Sequence, residues 1–155
     1  MMGSDRTLLI VFHSQTGNTK RLARAVETGA RRVEDISVAR MRASDASTDD
    51  LVQCRALVIC SPEYFGYMAG AVKDFFDRTY EEARQHVTGK SYTVVICAGN
   101  DGSGALTSIE RIVAGYNLRK VQEPIICQGQ LTDSMIEQCS DLGHTLAAGM
   151  ELGIY

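Results

Sequence analysis

Three short apolar runs, TLLIVF at 7–12, ALVIC at 56–60 and SYTVVICA at 91–98, punctuate a chain that otherwise carries helical periodicity. Runs of this length without polar alternation describe strands covered on both faces. The intervening spacing predicts a helix over 19–30, with Leu22, Ala23, Val26 and Ala30 on one stripe. It predicts a second over 70–84, on Val72, Phe75, Phe76, Thr79 and Tyr80, and a third over 104–116, with Leu106, Ile109, Ile112, Val113 and Tyr116 inward. A fourth, over 132–152, carries Met135, Ile136, Cys139, Leu142, Leu146 and Met150. A more polar strand is expected at 33–38. A short helix is expected at 48–54, with Thr48 as N-cap before Asp49 and Asp50. The last strand, 121–127, is interrupted at Pro124. Five β–α units in strict alternation require a parallel sheet with helices on both faces. For 155 residues the expectation is one α/β domain over 1–155, doubly wound, with strand order 2-1-3-4-5.

Charge narrows the function. Acids exceed bases by 19 to 16 for a net charge of −3, which argues against a nucleic-acid partner. No apolar run reaches the ~18 residues that span a bilayer, and the first residues do not read as a secretory leader. The five cysteines (Cys54, Cys60, Cys97, Cys127, Cys139) form no C-x-x-C pair, and four lie in apolar segments. They read as reduced core thiols of a cytoplasmic protein rather than metal ligands.

In a doubly wound sheet, ligands bind outside the carboxyl ends of the strands, so three loops carry the functional reading. The first, Ser14-Gln15-Thr16-Gly17-Asn18-Thr19 after His13, offers three hydroxyls and a glycine at a helix start. Such a helix start suits a phosphate; without a ligand it is a hydroxyl-rich cap. It lacks the Gly-Lys-Ser/Thr of a Walker loop. The second, Pro62-Glu63-Tyr64-Phe65-Gly66-Tyr67, gathers three aromatics in a chain that is only 6% aromatic. That crowding points to a planar ligand, or otherwise to a loop folded on its own helix or on a second copy. The third, Ala98-Gly99-Asn100-Asp101-Gly102-Ser103-Gly104, is glycine-rich and admits close backbone approach.

The pattern Ser14-x-Thr16-Gly17-x-Thr19 after the first strand resembles the phosphate loop of the flavodoxins, which bind flavin mononucleotide (FMN). The second loop, running on through Phe75, Phe76 and Asp77, resembles the ring-binding loop of quinone reductases related to flavodoxin. Its Pro-Glu-Tyr also echoes the NAD(P)H-dependent FMN reductases. The resemblance covers nearly the whole chain and implies a flavodoxin-like three-layer sandwich. It implies that residues 14–19 hold the phosphate, that 62–67 line the ring with a backbone N–H from 64–67 near its reactive nitrogen, and that Ala98, Gly99, Asn100, Asp101, Gly102 and Gly104 flank it. The chain departs from electron-carrying flavodoxins in being less acidic and in having no Trp.

The expected activity is FMN-dependent reduction of a quinone, flavin or similar acceptor by NAD(P)H. The alternative is an electron carrier serving protein partners. No catalytic side chain is assigned: Glu63 and Asp101 read as loop or cap residues, His13 as structural, Cys60 as packing, and Lys20 and Arg21 as solvated helix residues. A homodimer through the aromatic loop and the 75–80 helix segment is a further expectation. A receiver domain would need acids where His13-Ser14 and Cys60-Ser61 stand, and a low-molecular-weight phosphatase would need a Cys in the first loop.

Overall fold

The computed structural model describes residues 6–155, so the reading of the extreme N-terminus lies largely outside the described residues. The first half of the chain forms β1 (Thr7–Phe12), α1 (Asn18–Ala30), β2 (Ser37–Arg42), α2 (Thr48–Gln53) and β3 (Ala56–Tyr64). There follow β4 (Tyr67–Met68), α3 (Gly70–Ala83), β5 (Ser91–Ala98) and α4 (Ser103–Gly115). β6 (Arg119–Lys120), β7 (Ile125–Gln128) and α5 (Asp133–Glu151) complete the chain.

The three apolar runs are the three central strands. The sheet runs β2-β1-β3-β5, and β6 and β7 both pair along the far edge of β5, all in parallel. This is the expected 2-1-3-4-5 order, with the fifth strand in two pieces. Register explains the continuous apolar runs: Leu9, Leu57 and Val94 face one layer, while Leu8, Val58 and Val95 face the other. On the first face α3 and α4 deliver Val72, Phe75, Phe76, Ile109 and Val113. On the second, α1 and α5 deliver Leu22, Val26, Cys139, Leu142 and Leu146. Phe75 and Phe76 are therefore core residues, and the 75–80 segment cannot offer them to a second copy.

The α1–α5 contact is close enough to exclude side chains. A Cβ on Gly29 would lie 1.7 Å from the Ser140 carbonyl oxygen, and one on Gly143 would lie 1.9 Å from that of Val26. The two glycines form a seam in which each helix rests on the other's backbone.

Two local expectations shift, and the expected interruption of the last strand is found with wider bounds. The second strand is 37–42, not 33–38. Val33 and Ile36 are buried, but they sit in the turn after α1, where the Val33 and Ile36 N–H groups donate to the carbonyls of Ala30 and Val33. The strand itself is a polar edge carrying Arg40 and Arg42, a composition that discourages edge pairing. The cap of α2 is Ser47 rather than Thr48: its hydroxyl accepts from Asp50 N–H, and the Asp50 carboxylate accepts from Ser47 N–H at 2.8 Å. The last strand breaks at residues 121–124, where Pro124 offers no N–H. All five cysteines are free thiols; four are buried and Cys97 is half-buried.

Candidate functional site

At the carboxyl end of β1 the backbone curls through Gly17, which adopts φ 103°, while Gly17 N–H donates to Ser14 Oγ at 3.0 Å. α1 then starts with no capping side chain and no acid in its first turn. Its N-terminal N–H groups and dipole are left to attract an anion. Thr19 in that first turn is buried beside Cys97, whose thiol is pushed up by burial and drawn partly back by the Thr19 hydroxyl. Arg42 closes the loop from the side: it donates to the Ser14 carbonyl at 3.3 Å, and its guanidinium lies 5.1 Å from the centre of the Phe12 ring. His13 meets Tyr64 edge-on at 6.0 Å. Burial, helped by Arg42, holds its imidazole below the ordinary value, so it stays neutral near pH 7.

The aromatic segment is not a loop but a β-hairpin. β3 continues to Tyr64 and folds back onto β4, with Glu63 opposite Met68 and Tyr64 opposite Tyr67. The two-residue turn has Phe65 at φ 55° and Gly66 at φ 69°. Two successive left-handed residues give the primed turn that matches strand twist. Phe65 is fully exposed at the tip, and Tyr67 is also exposed.

Buried hydroxyls fasten the hairpin. Ser61 Oγ accepts from Ala69 N–H at 3.0 Å, and Ser108 Oγ of α4 accepts from Met68 N–H at 3.1 Å. The backbone of Gly104 lies so close to Gly66 that a Cβ would stand 2.1 Å from the Gly66 carbonyl oxygen. Glu63 Oε2 accepts from Ala105 N–H at 3.1 Å and so caps α4. Asp101 accepts from both Ser103 N–H and Ser103 Oγ, which hold its carboxyl below the usual range. Both acids are thus committed to the start of α4, the cap role the sequence offered them.

The three segments converge on one cleft of about 260 Å³. Ser14, Gln15, Thr16, Asn18 and Thr19 line one wall; Pro62, Glu63 and Tyr64 line the second; Ala98 and Gly99 line the third. Gly17 shapes the loop without lining the cleft. Gly66, Tyr67 and Gly104 line a separate recess of about 390 Å³ on the α4 side of the hairpin. Phe65, Asn100, Asp101 and Gly102 line neither.

Sequence reasoning missed three contributors to this region. Cys97 was read as core, although it lies one residue before the third loop. Gly129 follows the last strand, so the rule that selected the other loops also reaches it. Arg42 came from a strand whose register was misplaced. Among the described residues no group of three His, Cys, Asp or Glu side chains is placed to hold a metal, and no helix is long and apolar enough to cross a membrane.

A protein-family model described as Flavodoxin matches residues 10–142. A flavodoxin from Aquifex aeolicus (strain VF5) is 29% identical over 97 residues, covering 63% of this chain and 52% of the relative. The chain thus spans about half the length of that relative. An NAD(P)H dehydrogenase (quinone) from Acidithiobacillus ferrooxidans is 27% identical over 146 residues, covering 77% of this chain and 72% of the relative. Among solved structures, a flavodoxin from the domain Archaea superposes with a TM-score of 0.81 at 22% identity, over 94% of this chain and 99% of that one. At that identity the likeness is one of fold.

Proposed function

The chain belongs to the flavodoxin family, and from that premise we propose that it binds FMN in the cleft and works as a flavoprotein oxidoreductase, passing electrons from NAD(P)H to a quinone, flavin or similar acceptor. The observation that carries this reading is the meeting, in one cleft, of an uncapped helix N-terminus with an aromatic hairpin and a glycine-rich strand end. The residues present fit the group. The phosphate would be held by the N–H groups that open α1 and by the hydroxyls of Ser14, Thr16 and Thr19, with Gln15 and Asn18 on the same wall. Charge neutralisation needs no lysine in the loop, because the dipole of α1 and the nearby Arg42 supply positive potential. The ring would be flanked by Pro62 and Tyr64 on one side and by Ala98 and Gly99 on the other.

FMN supplies the redox chemistry when bound, accepting a hydride or electrons and passing them on. The protein's part is to bind and orient. His13 does not line the cleft, Glu63 and Asp101 are engaged by α4, and the Cys97 thiol is held protonated by burial. Direct transfer between stacked partners needs no general acid or base from these groups. The relative named NAD(P)H dehydrogenase (quinone), matched over 77% of this chain, supports the enzyme reading. The second reading, an electron carrier for protein partners, is favoured by the exposed apolar tip of Phe65 and Tyr67 beside the cleft.

The test is to load the protein with FMN, desalt it, and record its absorption, then to follow NAD(P)H consumption with and without a quinone. One retained FMN per chain with quinone-dependent NAD(P)H oxidation is the expected result. Retained FMN without such oxidation assigns the carrier role. Failure to retain flavin overturns both.

A further inference from the structure

Among the described residues one buried side-chain polar atom lacks a hydrogen-bond partner: Ser91 Oγ, in a residue 1% exposed. A buried hydroxyl left unpaired is destabilising and calls for an explanation. Ser91 opens β5, whose other end, Ala98, lines the cleft. At ~3.3 Å per residue the two ends are about 23 Å apart, so this hydroxyl belongs to the opposite edge of the sheet.

The parallel register gathers charge around it. Ala56 pairs with Ser91 and Ser91 pairs with Arg119, so Arg55, Lys90 and Arg119 arrive at one edge from three neighbouring strands. With Ser91, these three cations line a cavity of about 290 Å³ that Gly89 and Tyr155 also border. No carboxylate side chain lies within ion-pair distance of any of them among the described residues. Arg55 Nε donates to the Tyr155 main-chain oxygen at 2.6 Å, and Lys90 Nζ donates to the Cys54 carbonyl. The Arg119 side chain has no hydrogen-bond partner or ion pair among the described residues. Three cations thus gather at one site in a chain whose net charge is −3.

We propose that the cavity is a binding site for a phosphate monoester. Its oxygens would accept from the Ser91 hydroxyl and from the guanidinium forks of Arg119 and Arg55, with Lys90 as a point charge. One anion would thus pair the buried hydroxyl and give a counter-charge to cations that no side-chain carboxylate meets. The distance from the cleft separates this site from any hydride transfer there, and the inference does not depend on the redox reading.

The test is an amide-shift titration of the 15N-labelled chain with inorganic phosphate at constant ionic strength, with and without FMN. Saturable shifts at Gly89, Lys90, Ser91 and Arg119 are expected in both states. Arg119→Ala and Ser91→Ala should each weaken phosphate binding roughly tenfold or more while leaving the remaining spectrum unchanged. Glycerol 3-phosphate should reproduce the shifts, and sodium chloride should not. Shifts confined to residues 14–20 would overturn the proposal, as would shifts matched by chloride or variants that bind as the wild type does. Sedimentation with phosphatidate vesicles, without response to either soluble phosphate, would overturn the assignment to a free monoester in favour of a lipid headgroup. Loss of flavin retention alone would leave the 88–91 response intact, so the two readings fail separately.

Discussion

Replacing Gly143 by Ala tests whether the α1–α5 seam sets the geometry of the cleft. The added Cβ would stand 1.9 Å from the Val26 carbonyl oxygen and 2.8 Å from its carbon, and both partners are backbone atoms in a helix. Reaching even 3.0 Å, the lower limit of real Cβ contacts, requires α1 and α5 to separate by about 1.1 Å. Opening a gap of that size loosens the contacts of Leu22, Val26, Leu142 and Leu146, forfeiting up to about half of each close dispersion well. The strain belongs at the upper end of overpacking, about 3 kcal/mol. Better helix propensity returns about 1 kcal/mol. The net expectation is a loss of about 2 kcal/mol in urea unfolding followed by circular dichroism. The control is Gly115→Ala in the last turn of α4, where the new Cβ meets only Tyr80 Cε1 at 3.8 Å; it should be neutral or gain about 0.5 kcal/mol. Because α1 carries Asn18 and Thr19 into the cleft, Gly143→Ala should also weaken flavin retention where Gly115→Ala does not. If both variants unfold within about 0.5 kcal/mol of wild type, the seam does not hold the helices at the distance described.

Other predictions are more local. Phe65→Asn should raise stability by about 0.5–1 kcal/mol, because a fully exposed Phe in a left-handed turn position gains nothing from packing and Asn tolerates that conformation; an unchanged unfolding midpoint in urea would count against the hairpin geometry. Iodoacetamide applied to the native protein should label Cys97 alone, slowly because burial holds its thiol protonated, and FMN should protect it; mass spectrometry showing a second labelled thiol would contradict the burial of the other four. His13 binds its proton less readily folded than unfolded, so its contribution to stability is present above its ordinary value of 6.5 and is lost as pH falls through the lower folded value. His13→Gln should flatten that part of the pH–Tm profile, and an unaltered slope would remove the role assigned to burial and Arg42.

The central strands were legible because a strand covered on both faces has no polar option at any position, as in ALVIC and SYTVVICA. The second strand was not, because Val33 and Ile36 are apolar for a different reason: they close the core beneath α1 from within a turn, while the pairing strand carries arginines. The hairpin escaped notice because its turn reads Phe-Gly, without the Asn-Gly or Asp-Gly that announces such turns. The walls of the cleft were recognisable where the chain itself turns at a strand end, as at Ser14–Thr19. Contributions set by neighbouring strands, such as Arg42 from β2, depend on register, which composition does not reveal. The reach of Glu63 to the start of α4 spans 42 positions and likewise has no local signature.

The glycine seam also orders events in time. Gly143 follows Gly29 by 114 residues, which a ribosome covers in roughly 6–23 s at ~5–20 residues per second. Throughout that interval α1 exists without the helix it rests on, and for most of it the loop preceding α1 also lacks the Gly129 neighbour contributed by the end of β7. The wall of the cleft that is synthesised first is therefore among the last to be fixed in place, and a ligand relying on that wall meets its finished site only after α5 has emerged and docked.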